Sequence, residues 1–350
     1  MGKGRKTRRL RAALAACGGI SDLTLQAAER SPDFQVVALQ DPRKEALQQV
    51  GDRYGIRARH LRFEDLLAEE VDFVIVNSPN HVHRPQVEQV LKAGKPCLVQ
   101  KPMAPNLDDA RAMVLAAREA GLPLGVTMFE HSRPENHQVK EMVRSGWLGE
   151  PTLLQALSAH DIYLKNPPPE EDWRRDPRKV GGGAFIQLAV HHINLARWFL
   201  DREIVRVCMF GARGHTVFKD ETDVASMLFE NGPAAQFAAS YAARASHFLI
   251  AGTRGTIQLQ EGSVTVRGDD PYPGPVFNYE EAGQESVFKL SARATGEDAE
   301  GDRYEVHGRF ARFIRDGSEF PCTAESALRD MEAVAAAYRS RDEGRPVSLP

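Results

Sequence analysis

Apolar residues follow two rhythms along this chain. Through the first 130 residues, short and nearly continuous apolar runs alternate with stretches in which apolar positions return every three or four residues. That alternation is the pattern of parallel βαβ units, whose strands are covered by helices on both faces. Leu10–Cys17, Phe34–Gln40, Val71–Asn77, Cys97–Gln100 and Leu122–Met128 read as strands. The segments from about Ser21, over Lys44–Tyr54, over Arg84–Lys92 and over Leu107–Ala120 read as the helices between them.

The rhythm changes near residue 130. Pro134–Ser145 reads as a helix, but Leu153–Ser158, Ile204–Phe210, Val224–Phe229, Ala234–Tyr241 and Thr256–Gln260 are strand-like runs, most of them joined without intervening helices. Such runs predict an antiparallel or mixed sheet rather than a second βαβ array. Helices over Phe185–Leu200 and Ala324–Arg339 are expected on one face of that sheet, leaving the other open for a second copy of the chain. The expected architecture is α/β: a doubly wound parallel sheet in residues 1–129, then residues 130–350 as an α/β domain with a large open mixed or antiparallel sheet. A homodimer or homotetramer is expected from that open face. Pro167-Pro168-Pro169 and Asp269–Pro275 are loop signals.

Composition narrows the function classes. A chain of 350 residues that is 42% hydrophobic can bury two cores, and 45 basic against 48 acidic side chains create no global field for nucleic acid or an anionic membrane. The one cationic cluster, Lys3 to Arg11, reads as a short arm before the first strand, a nucleic-acid arm being the other reading. The apolar stretch Leu10–Ala16 behind it is too short to span a bilayer and is followed by no signal-type cleavage region. Cys17, Cys97, Cys208 and Cys322 are widely separated and form no C-x-x-C pair, so neither a zinc site nor a disulfide framework is indicated and a cytoplasmic location is expected. His81 and His83 form H-x-H, but two ligands without a third at a usual spacing predict no metal.

The first candidate chemistry lies at the turn after the first strand. A dinucleotide turn needs bare backbone where the pyrophosphate approaches and a helix N-terminus behind it. In Ala16-Cys17-Gly18-Gly19-Ile20-Ser21, Gly18 takes the close-approach position, Ser21 the third glycine's place, and Ala16 replaces the first glycine. Asp41 follows the second strand at the distance where a carboxylate holds the adenosine ribose 2′-hydroxyl, which favours NAD. Arg43 beside it keeps NADP open, and Asp41-Pro42 also suits an ordinary turn. Asn77, Ser78, Pro79 and Asn80 leave the third strand at the sheet edge where such ligands sit. Lys101 leaves the fourth strand at the same edge, ahead of Pro102.

From Asn77 to Pro102 the chain resembles the Gfo/Idh/MocA family, named for glucose-fructose oxidoreductase and inositol dehydrogenase. The resemblance rests on Ser78-Pro79-Asn80-His81-Val82-His83, Ala93-Gly94-Lys95 and Gln100-Lys101-Pro102. It continues through Ser145-Gly146-Trp147-Leu148-Gly149-Glu150, Trp173-Arg174, Gly181-Gly182-Gly183 and the closing Gly344-Arg345-Pro346-Val347-Ser348-Leu349-Pro350. It implies a Rossmann domain followed by an open-sheet domain, and hydride transfer between NAD (NADP remaining open) and a hydroxyl-bearing carbon of a sugar, cyclitol or related polyol. Gly18, Gly19, Ile20, Ser21, Asp41, Arg43, Asn77, Ser78, Pro79, Asn80, His83, Gln100 and Lys101 are the expected cofactor-side residues. The family's lysine against the reacting oxygen falls on Lys101. The histidine of its Asp-x-x-x-His pair falls on His191, with Gln187 in place of the aspartate.

Imidazole accepts a hydroxyl proton near neutral pH, and a neighbouring cation stabilises the alkoxide that develops. Gln187 and His191, four apart on a helix, project toward one space. His131, Arg133, Trp173 and Arg174, with Glu130 nearby, complete the expected substrate pocket. The departures carry meaning: Gln100, Gln187 and Asn194 are amides where the family is usually acidic, Ala189 replaces a glycine, and His131 an arginine. An amide holds neither a proton nor a negative charge. Fewer carboxylates near Lys101 predict a pKa below the ordinary value of about 10.4, making it a proton acceptor in its own right. Two other readings stay open: a glycosidase that uses NAD transiently through oxidation and elimination, and a non-catalytic dinucleotide-binding regulator.

Overall fold

The computed structural model describes residues 8–218, 220–260, 263–268, 279–282, 285–289 and 305–350. The loop expected over Asp269–Pro275 and most of the basic start lie outside these residues. The chain divides into two compact units, each described by itself.

In the first unit six parallel strands form the sheet: β1 (Leu10–Ala15), β2 (Phe34–Gln40), β3 (Ala58–His60), β4 (Phe73–Val76), β5 (Cys97–Gln100) and β6 (Leu124–Thr127). Their order, β3-β2-β1-β4-β5-β6, reverses direction between β1 and β4. Every residue of β4 and β6 is buried, as are five of the six in β1, which is why these strands read as unbroken apolar runs. Ala15 pairs with Val76, and Val76 with Val99, so the loops leaving β1, β4 and β5 start side by side at the switch point where doubly wound sheets bind ligands.

A cut at 129/130 assigns residues 305–327 to the second domain, but they pack with the first unit. The helix Glu305–Asp316 lays Phe310 against Phe73 (ring centroids 5.8 Å) and stacks His307 on Phe34 at 6.0 Å. Arg312 and Arg315 both pair with Asp33. This helix therefore packs on β2 and β4 of the first sheet.

The second unit holds one mixed sheet: β7 (Pro151–Ala159), β8 (Ile204–Ala212), β9 (Thr222–Phe229), β10 (Ala234–Ser240), β11 (Ala245–Gly252), β12 (Gly255–Gln260), β13 (Ser263–Gly268), β14 (Tyr279–Ala282), β15 (Glu285–Lys289) and β16 (Val347–Ser348). β7 and β10 pair in parallel, and the other ladders are antiparallel. Its covered face carries Leu154, Ala156, Ala225, Met227, Phe229, Ala235, Phe237 and Phe248, all buried. Phe199 of the helix Val190–Leu200 meets Phe248 edge-on at 5.6 Å. The opposite face is read from the register: Leu153, Ala234, Leu228 and Arg206 form one cross-strand row, and Leu157, Ala238, Val224 and Phe210 another. Phe210 is 75% exposed on that face.

Candidate active site

At the end of β1 the chain turns through Ala16 with φ 74°, the left-handed region that the first glycine of a dinucleotide turn occupies freely. Alanine adopts it at a cost of about 1–2 kcal/mol. A Cβ built on Gly18 or Gly19 would meet nothing within 4 Å, so packing demands no glycine at either position. What these residues provide is bare backbone ahead of the helix Ser21–Arg30, with Ile20 at its N-cap, the kind of helix start whose main-chain N–H groups suit phosphate oxygens. Ser21 is buried and donates its hydroxyl to Gly18 O at 2.6 Å; it shapes the turn from within.

Asp41 is buried behind this turn. Its Oδ2 accepts the Cys17 N–H at 2.8 Å, and Arg43 grips both oxygens, Nε to Oδ1 and Nη2 to Oδ2, each at 2.9 Å. Burial works against the carboxylate, but these donors outweigh it and hold Asp41 below the usual carboxylate range. Burial, then Asp41, pushes the Cys17 thiol up to about 12, so it stays protonated. The Arg43 side chain is 62% exposed, and its guanidinium occupies both carboxylate oxygens that a ribose hydroxyl would need.

Asn77, after β4, donates Nδ2 to Thr24 Oγ1 at 2.9 Å while its buried Oδ1 has no hydrogen-bond partner. An orphaned carbonyl here leaves an acceptor for a bound group. Ser78 donates its hydroxyl to Gln86 Oε1 at 2.6 Å, and Pro79 opens the short turn Asn80–Val82, with Asn80 buried. His83 departs from the expected cofactor contact. It is fully buried, with Nε2 2.8 Å from Ser78 O and Nδ1 3.2 Å from Met103 O, so it ties the Asn77–Asn80 loop to the loop after β5. Gln100 turns its Oε1 to the Lys101 N–H at 2.8 Å, and thus braces that loop. Desolvation pulls the Lys101 ammonium down to about 8, the expected direction, with burial as its cause. His131 is also buried in this unit.

In the second unit, Gln187 and His191 lie on the segment after the glycine run. Its first part, Phe185–Ala189, is a π-helical turn that leads into the α-helix Val190–Leu200. Phe185, Ile186, Ala189, Val190 and Ile193 are buried, while Gln187, Leu188, His191 and His192 form a partly exposed stripe on the other side. Gln187 and His191 therefore share a face as expected, and His192 flanks them with its ring edge-on to Phe248 at 5.5 Å. Although the residue is partly exposed, its ring Nδ1 is buried, and that burial, then His247 and Arg133, pulls His192 down to about 4. Asn194 points away from that stripe, donating to Asp330 Oδ2 at 2.7 Å in a buried cluster that Arg197 completes.

Arg174 lies over the Trp173 ring at 4.8 Å and pairs with Asp172, while Arg133 pairs with Glu135 at 3.5 Å. Two groups carry no obvious signal in the sequence: Asp220, under the glycine run, and Tyr338, on the helix Ala324–Glu343, which bonds it.

The model of an oxidoreductase family with an NAD-binding Rossmann fold matches residues 10–128, and that of the GFO/IDH/MocA C-terminal domain matches residues 136–258. The chain belongs to the GFO/IDH/MocA family. Among its relatives, a 1,5-anhydro-D-fructose reductase of Ensifer adhaerens is 29% identical over 72% of this chain and 80% of that protein. A D-apiose dehydrogenase of Paraburkholderia graminis is 28% identical over 98% of this chain and 90% of that protein. An oxidoreductase from Agrobacterium radiobacter, solved with NAD+, L-tartaric acid and magnesium, superposes with a TM-score of 0.84 over 97% of this chain and 98% of its own, at 23% identity. Membership makes this GFO/IDH/MocA chain an NAD-binding oxidoreductase, and the open turn at Gly18-Gly19, the gripped Asp41 and the orphaned Asn77 carbonyl suit that cofactor. Among the described residues no helix is long and apolar enough to cross a membrane.

Proposed function

We propose that the protein oxidises a hydroxyl-bearing carbon of a sugar, cyclitol or sugar derivative, or reduces the matching carbonyl, with Lys101 as the principal proton acceptor. The observation that carries this reading is the placement of Lys101 at the carboxyl end of β5, beside the loops leaving β1 and β4, where burial pulls its ammonium to about 8 and lets it exchange a proton near neutral pH, as an ordinary lysine does not. The sugar class is supported by the reductase and dehydrogenase relatives. NAD, when bound at the Gly18-Gly19 turn and Asp41, supplies the two-electron hydride acceptor. The Lys101 amine takes the hydroxyl proton as the alcohol C–H gives up its hydride and the carbon becomes a carbonyl. His191 acts as a second acid–base group, and Gln187 hydrogen-bonds without supplying charge. His131, Arg133, Trp173 and Arg174 contact the substrate.

The exposed rows of the second sheet, with Phe210, Leu228 and Leu153 outward, support a homodimer or homotetramer built on that face. Four free cysteines, three of them buried, suit the reducing cytoplasm.

The test is NADH formation over a panel of polyols and aldoses. Lys101→Met is expected to lose roughly 10²-fold or more in kcat/KM and His191→Asn about tenfold. Loss confined to His191→Asn would reverse the roles. Glycoside cleavage without net NADH would replace the dehydrogenase reading with the transient-oxidation one.

A further inference from the structure

The segment that carries Gln187 and His191 begins in an unusual way. A helix leaves its first N–H groups without partners inside the helix, and a side chain just ahead of it normally satisfies one. Here Gly181-Gly182-Gly183 precedes it and offers no side chain at all. The N–H groups are instead taken up from two distant parts of the same unit. Gly183 N–H donates to Asp220 Oδ2 at 2.6 Å, Ala184 N–H to the Asp220 main-chain oxygen at 2.9 Å, and Ile186 N–H to the Tyr338 hydroxyl oxygen at 3.2 Å. Tyr338 in turn donates its hydroxyl to Asp220 Oδ2, and Arg341 Nη1 holds Asp220 Oδ1 at 3.0 Å. Tyr241 adds a hydroxyl to Gly183 O at 3.4 Å.

This arrangement explains the glycines. A Cβ on Gly182 would lie 2.2 Å from the Tyr338 hydroxyl, and one on Gly183 would lie 1.8 Å from the Asp220 carbonyl oxygen. Gly182, at φ 151°, also holds a backbone conformation that other residues rarely adopt. The run is bare so that the start of the helix can sit directly on Asp220 and Tyr338.

We propose that Asp220 and Tyr338 are positioning residues that fix the start of the Gln187–His191 segment and thereby the place of the His191 imidazole. The inference rests on the reading of His191 as a reaction-centre group. Three features support it. The carboxylate lies at the positive end of the helix, where a negative charge is favoured. The Tyr338 bond falls within the π-helical turn Phe185–Ala189, a wound-out geometry that needs outside support and immediately precedes His191. His191 lies eight residues from Gly183, roughly 12 Å along a rigid helix. A start that settles differently therefore carries the imidazole with it, and displacements of about 1 Å at a reacting group cost roughly 10²-fold in rate.

The experiment uses the full chain labelled with 15N-histidine, with and without NAD, as native protein and as Tyr338→Phe, Asp220→Ala and Asp220→Asn. His191→Asn assigns the His191 ring signals. The Phe variant and the Ala variant are expected to shift those signals and their pH midpoint while leaving His83 and His307, in the other unit, unmoved. With the best substrate of the polyol panel, kcat is expected to fall about tenfold at unchanged KM for NAD. Asp220→Asn keeps an acceptor for the Gly183 N–H and should recover most of that loss. Should Asp220→Ala fail to fold, Tyr338→Phe carries the test alone, because it removes one oxygen. Unmoved His191 signals overturn the proposal, whether kcat falls or not. Shifted His191 signals in a protein that turns over no polyol leave the positioning intact and refute the dehydrogenase reading instead.

Discussion

Replacing Lys101 by methionine should make the protein less active and more stable at neutral pH. The lysine is pulled from 10.5 to about 8 by burial, which corresponds to roughly 3 kcal/mol of penalty on its ammonium form. At pH 7 about one molecule in ten then carries the free amine, against about one in 3,000 for an ordinary lysine, a gain of roughly 300-fold in competent proton acceptor. The kcat/KM for alcohol oxidation should therefore climb with pH along a limb centred near 8 and level off above it, and Lys101→Met should erase that limb.

The same shift acts on stability with a definite sign. Between pH 8 and 10.5 the unfolded chain retains a proton that the folded chain has released, so stability rises with pH across that window and carries the full penalty below pH 8. Methionine has no charge to bury. Allowing for the contacts of the ammonium that are lost, Lys101→Met should be about 1–3 kcal/mol more stable than native protein at pH 7, with the gap closing above pH 10. Urea unfolding of the NAD-free protein at pH 7 and 10 measures this. An ascending limb centred near 10, or a methionine variant no more stable than native at pH 7, would refute the account of Lys101 as a desolvated base.

Arg43→Ala should raise KM for NADP about tenfold and change KM for NAD much less. Without its arginine the Asp41 carboxylate repels a 2′-phosphate, yet a ribose hydroxyl can still bond to it. An equal effect on both coenzymes would count against this use of the pair. His192, held near 4, stays neutral in the fold while the unfolded chain protonates below about 6.5. Stability should therefore fall as pH drops from 6.5 to 4, by up to about 3 kcal/mol, and His192→Gln should flatten that slope in pH-dependent thermal unfolding. Ala16→Gly relieves a left-handed alanine at φ 74° but frees the unfolded chain, so a net gain of about 0.5–1 kcal/mol is expected, and a fall in Tm would show that the turn gains something from its methyl group.

What the sequence made legible is what neighbouring residues decide. Cys97–Gln100 coincides with β5, whose first three residues are buried, and Phe34–Gln40 coincides with β2, buried at Phe34 and over its last three residues, because burial makes a strand read as an apolar run. β3 was not legible: Ala58-Arg59-His60 is three half-buried residues at the sheet edge, with no pattern to detect. The helix Glu305–Asp316 escaped for another reason, since its packing partners Phe34 and Phe73 lie more than 200 residues earlier. The site divides the same way. Gly18 and Asp41 are separated by one βαβ unit, so their spacing is set by local geometry and can be read. Asn194 reads as a lost acid, yet it bonds a buried carboxylate, Asp330, 136 residues away, which it shares with Arg197. Asp220 and Tyr338 are likewise 118 residues apart, and nothing in either stretch marks them as partners. The candidate ligand groups Gly18 and Asp41 are thus announced by spacing within one supersecondary unit. Those that hold such groups in place come from wherever the fold brings an acceptor, so an amide in a family's acidic position indicates a changed site only after the fold has been searched for the missing charge.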